Sequence, residues 1–239
     1  MQLHLKFTGE NLLVPLACQQ QVQGLLYASL REDPAYQRFL HETGYQAADR
    51  PFRHFVFGRL RGRYEREAEG LRFPDGFALE VRSTQGRFIQ CLLGCMTPDS
   101  RHRLGSCVLT VAEARLEDRH VTENEIEIRM DSPVTVHRTE ADGSTFFPDP
   151  FDPEFGRLLS GNAARKWISL YHSDPPGGLG FAPLAVTERD KVVTRFKGFY
   201  LTGWRGRYLL QGEPAVLDLL YQTGLGSRNA QGFGLFDLV

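Results

Sequence analysis

The residues best suited to binding a ligand lie near the end of the chain, where four glycines occur within eleven residues. These glycines are Gly224, Gly226, Gly232 and Gly234. Glycine adopts positive φ and allows close backbone approach, so such a loop can direct several N–H groups at phosphates. Arg228 and Asn229 add a positive charge and a hydrogen-bond donor. A phosphate-binding loop and an ordinary glycine-rich turn are equally compatible with this pattern.

A second candidate is the basic run RPFRHFVFGRLRGRY at residues 50–64, which contains no acidic residue. Its arginines are Arg50, Arg53, Arg59, Arg61 and Arg63. The net charge of the chain is -1, so a nucleic-acid partner would have to be held by a local patch of this kind. A solvated strand face is an equally good interpretation of the run.

Two side chains with acid–base chemistry lie off the apolar faces of predicted helices. The helical period over residues 17–31 places Tyr27 well away from the centre of the apolar stripe. A short helix is predicted next, with Asp33 as N-cap, Pro34 at its first position and Gly44 as terminator. His41 lies near its end and off its apolar side. Tyr27 and His41 are therefore unlike ordinary core residues.

The elements that carry these residues follow one order twice: strand, helix, two strands, helix, strand. This order is the ferredoxin-like motif. The sequence predicts an α+β fold of two tandem ferredoxin-like (RRM-like) βαββαβ domains, residues 1–120 and 121–239. The predicted elements include strands at 2–7, 52–63, 104–116 and 125–138 and helices at 88–96, 153–171 and 213–222.

Composition limits the class of protein. With 41% hydrophobic and 24% charged residues in 239, the chain resembles ordinary globular proteins of two small domains. The four cysteines form no CxxC pair, so reduced thiols are expected rather than a zinc site. The N-terminus lacks the layout of a signal peptide, and the apolar stretches are short. We expect a cytoplasmic protein with no membrane association.

The arrangement of Gly224 to Gly234 resembles the signature loop of CRISPR-associated endoribonucleases that process repeat RNA, in the repeat-associated mysterious protein superfamily. Earlier segments are similar to this family in the same order: Val14-Pro15-Leu16 before the first helix, Phe39-Leu-His-Glu-Thr-Gly44, Phe52-Arg-His-Phe-Val-Phe57, and Ser132-Pro-Val-Thr-Val136. The likeness spans nearly the whole chain and is weakest between residues 65 and 131. It implies two ferredoxin-like domains and binding of CRISPR repeat RNA (pre-crRNA).

The resemblance also implies a reaction. Members of this type cleave RNA with the ribose 2′-OH as nucleophile and without a metal or another cofactor, leaving 2′,3′-cyclic phosphate and 5′-OH ends. It identifies Tyr27, His41 and Arg53 as catalytic residues in the first domain. Histidine suits proton transfer near neutral pH, and arginine stabilises transition-state charge but does not donate its proton. The roles of acid and base stay open between Tyr27 and His41, and His54 is the rival base.

For RNA binding, the resemblance implies the loop of the second domain, with Arg50, Arg59 and Arg61 extending the track. The loop residues are Gly224, Gly226, Arg228, Asn229, Gly232 and Gly234. For Arg165 and Lys166 a solvated helix end is the favoured interpretation, and His137 has no motif support. Two alternatives stay open, a non-catalytic RNA-binding subunit of a CRISPR interference complex and a protein-interaction module. The sequence does not decide between monomer and homodimer, or whether the chain joins such a complex.

Overall fold

The structure is a computed structural model and describes residues 1–48, 50–196 and 198–239. In the first half of the chain, the strands are β1 (Gln2–Thr8), β2 (Leu13–Val14), β3 (Tyr45–Ala47), β4 (Arg50–Phe52), β5 (Phe55–Phe57), β6 (Glu65–Arg66), β7 (Leu71–Arg72), β8 (Phe77–Ser83), β9 (Arg101–Leu104) and β10 (Cys107–Glu117). The helices are α1 (Gln19–Ala28), α2 (Pro34–Arg38) and α3 (Gly86–Cys95), and a π-helical turn spans Phe39–Thr43.

Five of these strands form an antiparallel sheet in the order β5-β8-β1-β10-β9, and the others form two small sheets, β2-β7-β6 and β3-β4. Without the edge strand β9, this is the order of a ferredoxin-like domain, with the first strand between the third and the fourth. Alternate residues of β1 are apolar and face α1 and α3, because side chains of a strand alternate between its faces. Leu5, Leu26 and Phe88 lie in the resulting core.

The second half repeats this design. Its strands are β11 (Glu125–Met130), β12 (Arg138–Thr139), β13 (Thr145–Phe146), β14 (Gly180–Ala185), β15 (Lys191–Phe196), β16 (Phe199–Trp204), β17 (Arg207–Gln211) and β18 (Phe236–Leu238). Its helices are α4 (Pro153–Tyr171) and α5 (Pro214–Thr223), with 3-10 turns at Glu188–Asp190 and Asn229–Gln231. The sheet order β14-β17-β11-β18 is again ferredoxin-like, and β15 and β16 form an inserted hairpin.

The predicted α+β fold with two tandem ferredoxin-like domains is therefore confirmed. The division at residues 120 and 121 falls between β10 and β11, and the assignment of catalysis to one domain and RNA binding to the other stays a prediction. In the described part of the chain, no helix is long and apolar enough to cross a membrane.

Two predicted strands are shorter than expected. The strand predicted at 52–63 is interrupted at Arg53 and His54, where His54 has a φ of +51°, and it ends at Phe57. The strand predicted at 125–138 ends at Met130, because the next N–H groups, of Asp131 and Ser132, donate to the carbonyl of Leu235 instead. Both interruptions occur where the two halves of the chain meet.

Candidate active site in the interdomain cleft

A cleft between the two domains brings the candidate catalytic residues together. Tyr27, His41 and Arg53 line the side formed by the first domain, and the segment from Gly226 to Gln231 lines the opposite side. These side chains come from α1, the π-helical turn and the link between β4 and β5. The cleft therefore joins residues that are far apart in sequence into one site.

Tyr27 follows the buried Leu26 in α1 and is itself half-buried. Its hydroxyl donates to the carbonyl oxygen of Leu40 at 3.4 Å, and its ring meets the His41 imidazole edge to face with centroids 5.9 Å apart. Burial raises the pKa of Tyr27, and the nearby Arg53 guanidinium opposes that rise. Tyr27 thus keeps its proton at neutral pH and presents a hydrogen-bond donor.

His41 is carried by the π-helical turn that follows α2. Asp33 caps this helix by accepting from the N–H of Tyr36, and Pro34 stands in its first turn, as predicted. The turn ends at Gly44, whose φ is +65° and whose N–H donates to the carbonyl of Phe39. Because the His41 side chain is exposed at this irregular end, it is accessible to a molecule in the cleft.

Arg53 stabilises the turn that carries His41 by a hydrogen bond. Its Nη2 atom donates to the His41 carbonyl oxygen at 3.1 Å. A Cβ atom at Gly44 would overlap the Arg53 guanidinium and lie 2.5 Å from the carbonyl oxygen of Phe52. Glycine at position 44 therefore allows the guanidinium to lie against the turn that carries His41.

His54 lines the same cleft from a buried position. It is 3% exposed, and its Nε2 atom lies 2.9 Å from the hydroxyl of Ser169 in α4. Burial, with a smaller contribution from Lys166, lowers the pKa of His54 to about 3. The imidazole is therefore neutral at pH 7 and packed between the domains, whereas His41 is open to solvent.

The glycine-rich loop folds against the protein's own backbone. Its four glycines have φ between +72° and +86°, a region that residues with a Cβ atom adopt at a cost. A Cβ at Gly226 would lie 2.5 Å from the carbonyl oxygen of Thr135, and one at Gly234 would overlap the carbonyl of Leu225. Of the four, Gly226 lines the cleft. Glycine is thus required first by the fold of the loop, and direct approach to RNA stays a prediction.

Asn229 stabilises the loop by hydrogen bonds to two carbonyl groups of the loop. Its amide nitrogen donates to the carbonyl oxygens of Leu225 at 3.1 Å and Phe233 at 2.9 Å, which uses both of its hydrogens. Both amide hydrogens are thus used within the loop, and contact of Asn229 with RNA stays a prediction. Arg228 lies beside it at the cleft, half-buried, with Nη1 3.3 Å from the side-chain oxygen of Gln231.

Lys166 holds the other end of the loop. Its ammonium group is 2% exposed and donates to the carbonyl oxygens of Gly224 and Thr223, at the C-terminal end of α5. Burial lowers the pKa of Lys166 to about 7. The expected solvated helix end is thus wrong at this position. The sequence holds a signal, because Lys166 follows Phe155 and Leu159 at helical spacing, on the buried face of α4.

The basic run of residues 50–64 is divided between two environments. Arg50 lines the cleft. Arg59 and Arg61 instead form ion pairs with the buried Asp131, and Arg61 also reaches Asp237 at 3.0 Å. The acidic partners come from distant parts of the chain, so the expected patch of uncompensated charge is wrong for these two arginines. Direct RNA contact by Arg59 and Arg61 stays a prediction.

Comparison with known proteins identifies the family. A family model described as CRISPR associated protein Cas6, C-terminal, matches residues 116–238. The chain belongs to this family. The resemblance seen in the sequence is thereby confirmed. Among the described residues, no three His, Cys, Asp or Glu side chains come together as a metal site.

Curated relatives and solved structures agree with the Cas6 assignment. The chain is 23% identical over 235 residues to the CRISPR-associated endoribonuclease Cas6 of Pyrococcus furiosus, covering 93% of this chain and 82% of that protein. It is 23% identical to CRISPR-associated endoribonuclease Cas6 1 of Methanocaldococcus jannaschii, covering 98% and 91%. A solved structure described as a RAMP protein binding different RNA substrates matches with a TM-score of 0.84 at 16% identity, over 100% of this chain and 99% of the other. This last likeness concerns the fold.

Proposed function

We propose that this protein is an endoribonuclease that binds CRISPR repeat RNA (pre-crRNA) in the interdomain cleft and cuts it to make guide RNAs. The observation that carries the proposal is the convergence of Tyr27, His41 and Arg53 on one side of that cleft. Membership of the Cas6 family supports the reaction class, since two curated relatives are named endoribonucleases. The RAMP neighbour supports RNA as the ligand.

In the proposed reaction, the 2′-OH of the ribose attacks the adjacent phosphorus and the bond to the 5′-oxygen breaks. The products are a 2′,3′-cyclic phosphate and a 5′-OH end. A base must take the 2′-OH proton, and an acid must protonate the leaving 5′-oxygen. No metal ion takes part in this route, because the nucleophile and both proton carriers belong to the RNA and the protein.

The geometry suggests how the three residues divide this work. The exposed imidazole of His41 takes the 2′-OH proton, and the imidazolium gives it to the leaving 5′-oxygen. Tyr27 stays protonated and turns its hydroxyl from Leu40 to the ribose or the phosphate, which it orients by donating a hydrogen bond. Arg53 supplies positive charge to the phosphorane-like transition state. Its hydrogen bond to the His41 backbone carbonyl also holds the guanidinium against the turn that carries the imidazole.

Two RNA substrates test the proposal. The protein is incubated in EDTA with repeat RNA of its source genome, and with the same RNA carrying a single 2′-deoxy nucleotide just upstream of the cut. We expect the first RNA to be cut to 2′,3′-cyclic phosphate and 5′-OH ends, and the second to be bound but left intact. Cleavage of the deoxy RNA, or a requirement for a divalent metal, would refute the mechanism. Binding of both RNAs without any cleavage would favour a non-catalytic RNA-binding subunit.

Residence in the cytoplasm and assembly into an interference complex stay predictions.

A further inference from the structure

Four basic side chains gather at the interdomain cleft, where β4, α4 and the glycine loop meet. They are Arg50 of β4, His137, Arg165 of α4 and Arg228 of the glycine loop. Arg50, His137 and Arg228 line the cleft itself. Arg165 lies close enough to Arg50 for the two charges to affect each other. We call these four residues the basic cluster.

Arg165 and Arg228, the partly buried arginines of the basic cluster, differ from three other arginines of the protein in having no carboxylate partner. Arg61, Arg82 and Arg138 each form ion pairs with Asp or Glu. Within residues 1–48, 50–196 and 198–239, no such pair forms for any member of the basic cluster. Partly buried charges without counterions, as at Arg165 and Arg228, are unfavourable in the free protein. A site that retains uncompensated positive charges is suited to binding an anion.

Positive charges within the cluster lower the pKa values of neighbouring members, because they disfavour a second protonated group nearby. Burial lowers the pKa of His137 to about 4, with further contributions from Arg228 and Arg50. Burial, followed by Arg50, also lowers the pKa of Arg165. The other groups against the imidazole are neutral: the Ser227 hydroxyl, 3.4 Å from Nδ1, and the ring of Phe147. An anion placed here would relieve this mutual repulsion.

Unpartnered polar atoms at the same place indicate that something is to be bound. The Nε atoms of Arg165 and Arg228 are buried and have no hydrogen-bond partner among the described residues, and neither has the side-chain oxygen of Asn162. Asn162 is 9% exposed and lines the cleft. Unmade bonds of buried groups are unfavourable unless a ligand completes them. Two donors and one acceptor suit a phosphate next to a ribose hydroxyl.

We propose that the basic cluster is a second phosphate subsite, which holds a backbone phosphate of the RNA other than the one that is cut, with Asn162 accepting from the adjoining ribose. The subsite rests on the proposed function for its ligand. It adds His137, Arg165 and Asn162 to the RNA-binding residues. It also places the RNA across both sides of the cleft, with the cut phosphate beside Tyr27, His41 and Arg53.

The first test uses inorganic phosphate and does not depend on cleavage. The titration of His137 is followed by NMR of histidine-labelled protein, and its signal is assigned with His137→Gln. We expect phosphate to move the midpoint to higher pH, because the bound anion favours the imidazolium. Arg228→Gln should abolish this shift. Arg157→Gln should retain it, because Arg157 lies on the same helix but is paired with Glu154. An unchanged midpoint, or the same shift in Arg228→Gln, would overturn the proposal.

The second test measures affinity for the 2′-deoxy repeat RNA as a function of salt. Arg165→Gln and Arg228→Gln should each weaken binding by roughly tenfold and reduce the salt slope by about one, as expected for the loss of one phosphate contact. The single-turnover rate at saturating RNA should fall less than the affinity. Unchanged slopes would sink the subsite, and a loss confined to the saturating rate would place these arginines at the cut instead. Normal binding by the wild type with no cleavage of unmodified RNA would refute the proposed function but leave the subsite standing.

Discussion

The rings of Tyr27 and His41 are in contact, but the two side chains differ in their exposure to solvent. Tyr27 is half-buried against Leu40 and holds its proton, whereas His41 is exposed on a turn that Arg53 fastens from the next strand. In the proposed mechanism, local structure thereby separates a group that orients from a group that transfers a proton. A change at either residue should affect the chemical step more than RNA affinity.

His41→Ala is expected to lower the single-turnover cleavage rate by roughly a hundredfold to ten-thousandfold, the usual contribution of positioned acid–base catalysis. RNA affinity should stay close to that of the wild type. Glu42→Ala is the matched control, because Glu42 is exposed on the same π-helical turn. A loss of activity in both variants would indicate damage to the turn. A normal rate in His41→Ala with an inactive His54→Ala would contradict the assignment of His41.

The sequence predicted some of these residues and missed others for a physical reason. Tyr27 and His41 are visible because the helical period places them off apolar faces. His137 lies outside helices and strands, and nothing in its neighbours shows that the fold brings Arg50 and Arg228 beside it. Contacts between distant segments are set by domain packing, which periodicity does not report.

The glycine loop is an element whose shape is fixed by its own hydrogen bonds. The N–H of Leu225 donates to the carbonyl of Gly234, and the N–H of Ser227 to that of Thr135. Lys166 binds the carbonyls at its beginning, and Asn229 bridges its two arms. Sequence correctly marks the glycines as special. It leaves a phosphate-binding loop and an ordinary turn equally compatible, since it does not show that the chain itself occupies the space around the glycines.

Gly226→Ala is expected to destabilise the protein through a contact with the Thr135 carbonyl, in addition to the strain of positive φ. Gly143→Ala is the matched control, because Gly143 has a φ of +84° but nothing within 4 Å of its Cβ position. The control should lose about 1 kcal/mol from strain alone. Gly226→Ala should lose at least about 2 kcal/mol more, measured as the free energy of unfolding in urea. Equal losses of unfolding free energy in the two variants would show that the loop relaxes around the added methyl group at little cost.

At the scale of the whole molecule, the two domains are joined by buried polar contacts. Arg82 is 2% exposed and donates to the carbonyl of Phe236 at 2.8 Å, from one domain into the other. Asp131 binds Arg59 and Arg61 across the same boundary. His54 meets Ser169 beside the cleft. Since both sides of the candidate site depend on this boundary, conditions that weaken it should also disturb the site.

Acid should weaken the boundary through His54. Its folded pKa of about 3 lies below the ordinary value of 6.5, so the unfolded chain binds more protons between these values. Stability is then lost as pH falls from 6.5 towards 3, by on the order of a few kcal/mol in total. His54→Asn should reduce this dependence, measured by urea unfolding between pH 7 and pH 4.

His172→Asn is the control for this measurement, because His172 also has positive φ, at +54°, but lies exposed at the end of α4. Asparagine tolerates this conformation, so the two variants differ mainly in burial. The control should keep the slope of the wild type. Equal slopes in all three proteins would show that His54 is not the source of the acid sensitivity.

The architecture of the whole chain was the most predictable feature. Two rounds of strand, helix and strand patterns predict the tandem fold, and α4 begins and ends at the predicted residues 153 and 171. The boundaries that failed, at His54 and Met130, lie where the backbone turns out of the strand, with positive φ at His54 and with the N–H groups of Asp131 and Ser132 bonded to Leu235. Local pattern determines the elements, and packing between them determines where they stop.

The closure of the glycine loop upon itself affects the thermodynamics of RNA binding. A loop that is already folded has no disorder to lose when a ligand arrives, so the entropy of ordering falls on the RNA. Binding should therefore be accompanied by a small change in heat capacity, set by the surface covered rather than by folding of the protein. Repeat RNAs that are already held in the bound shape should gain the most affinity.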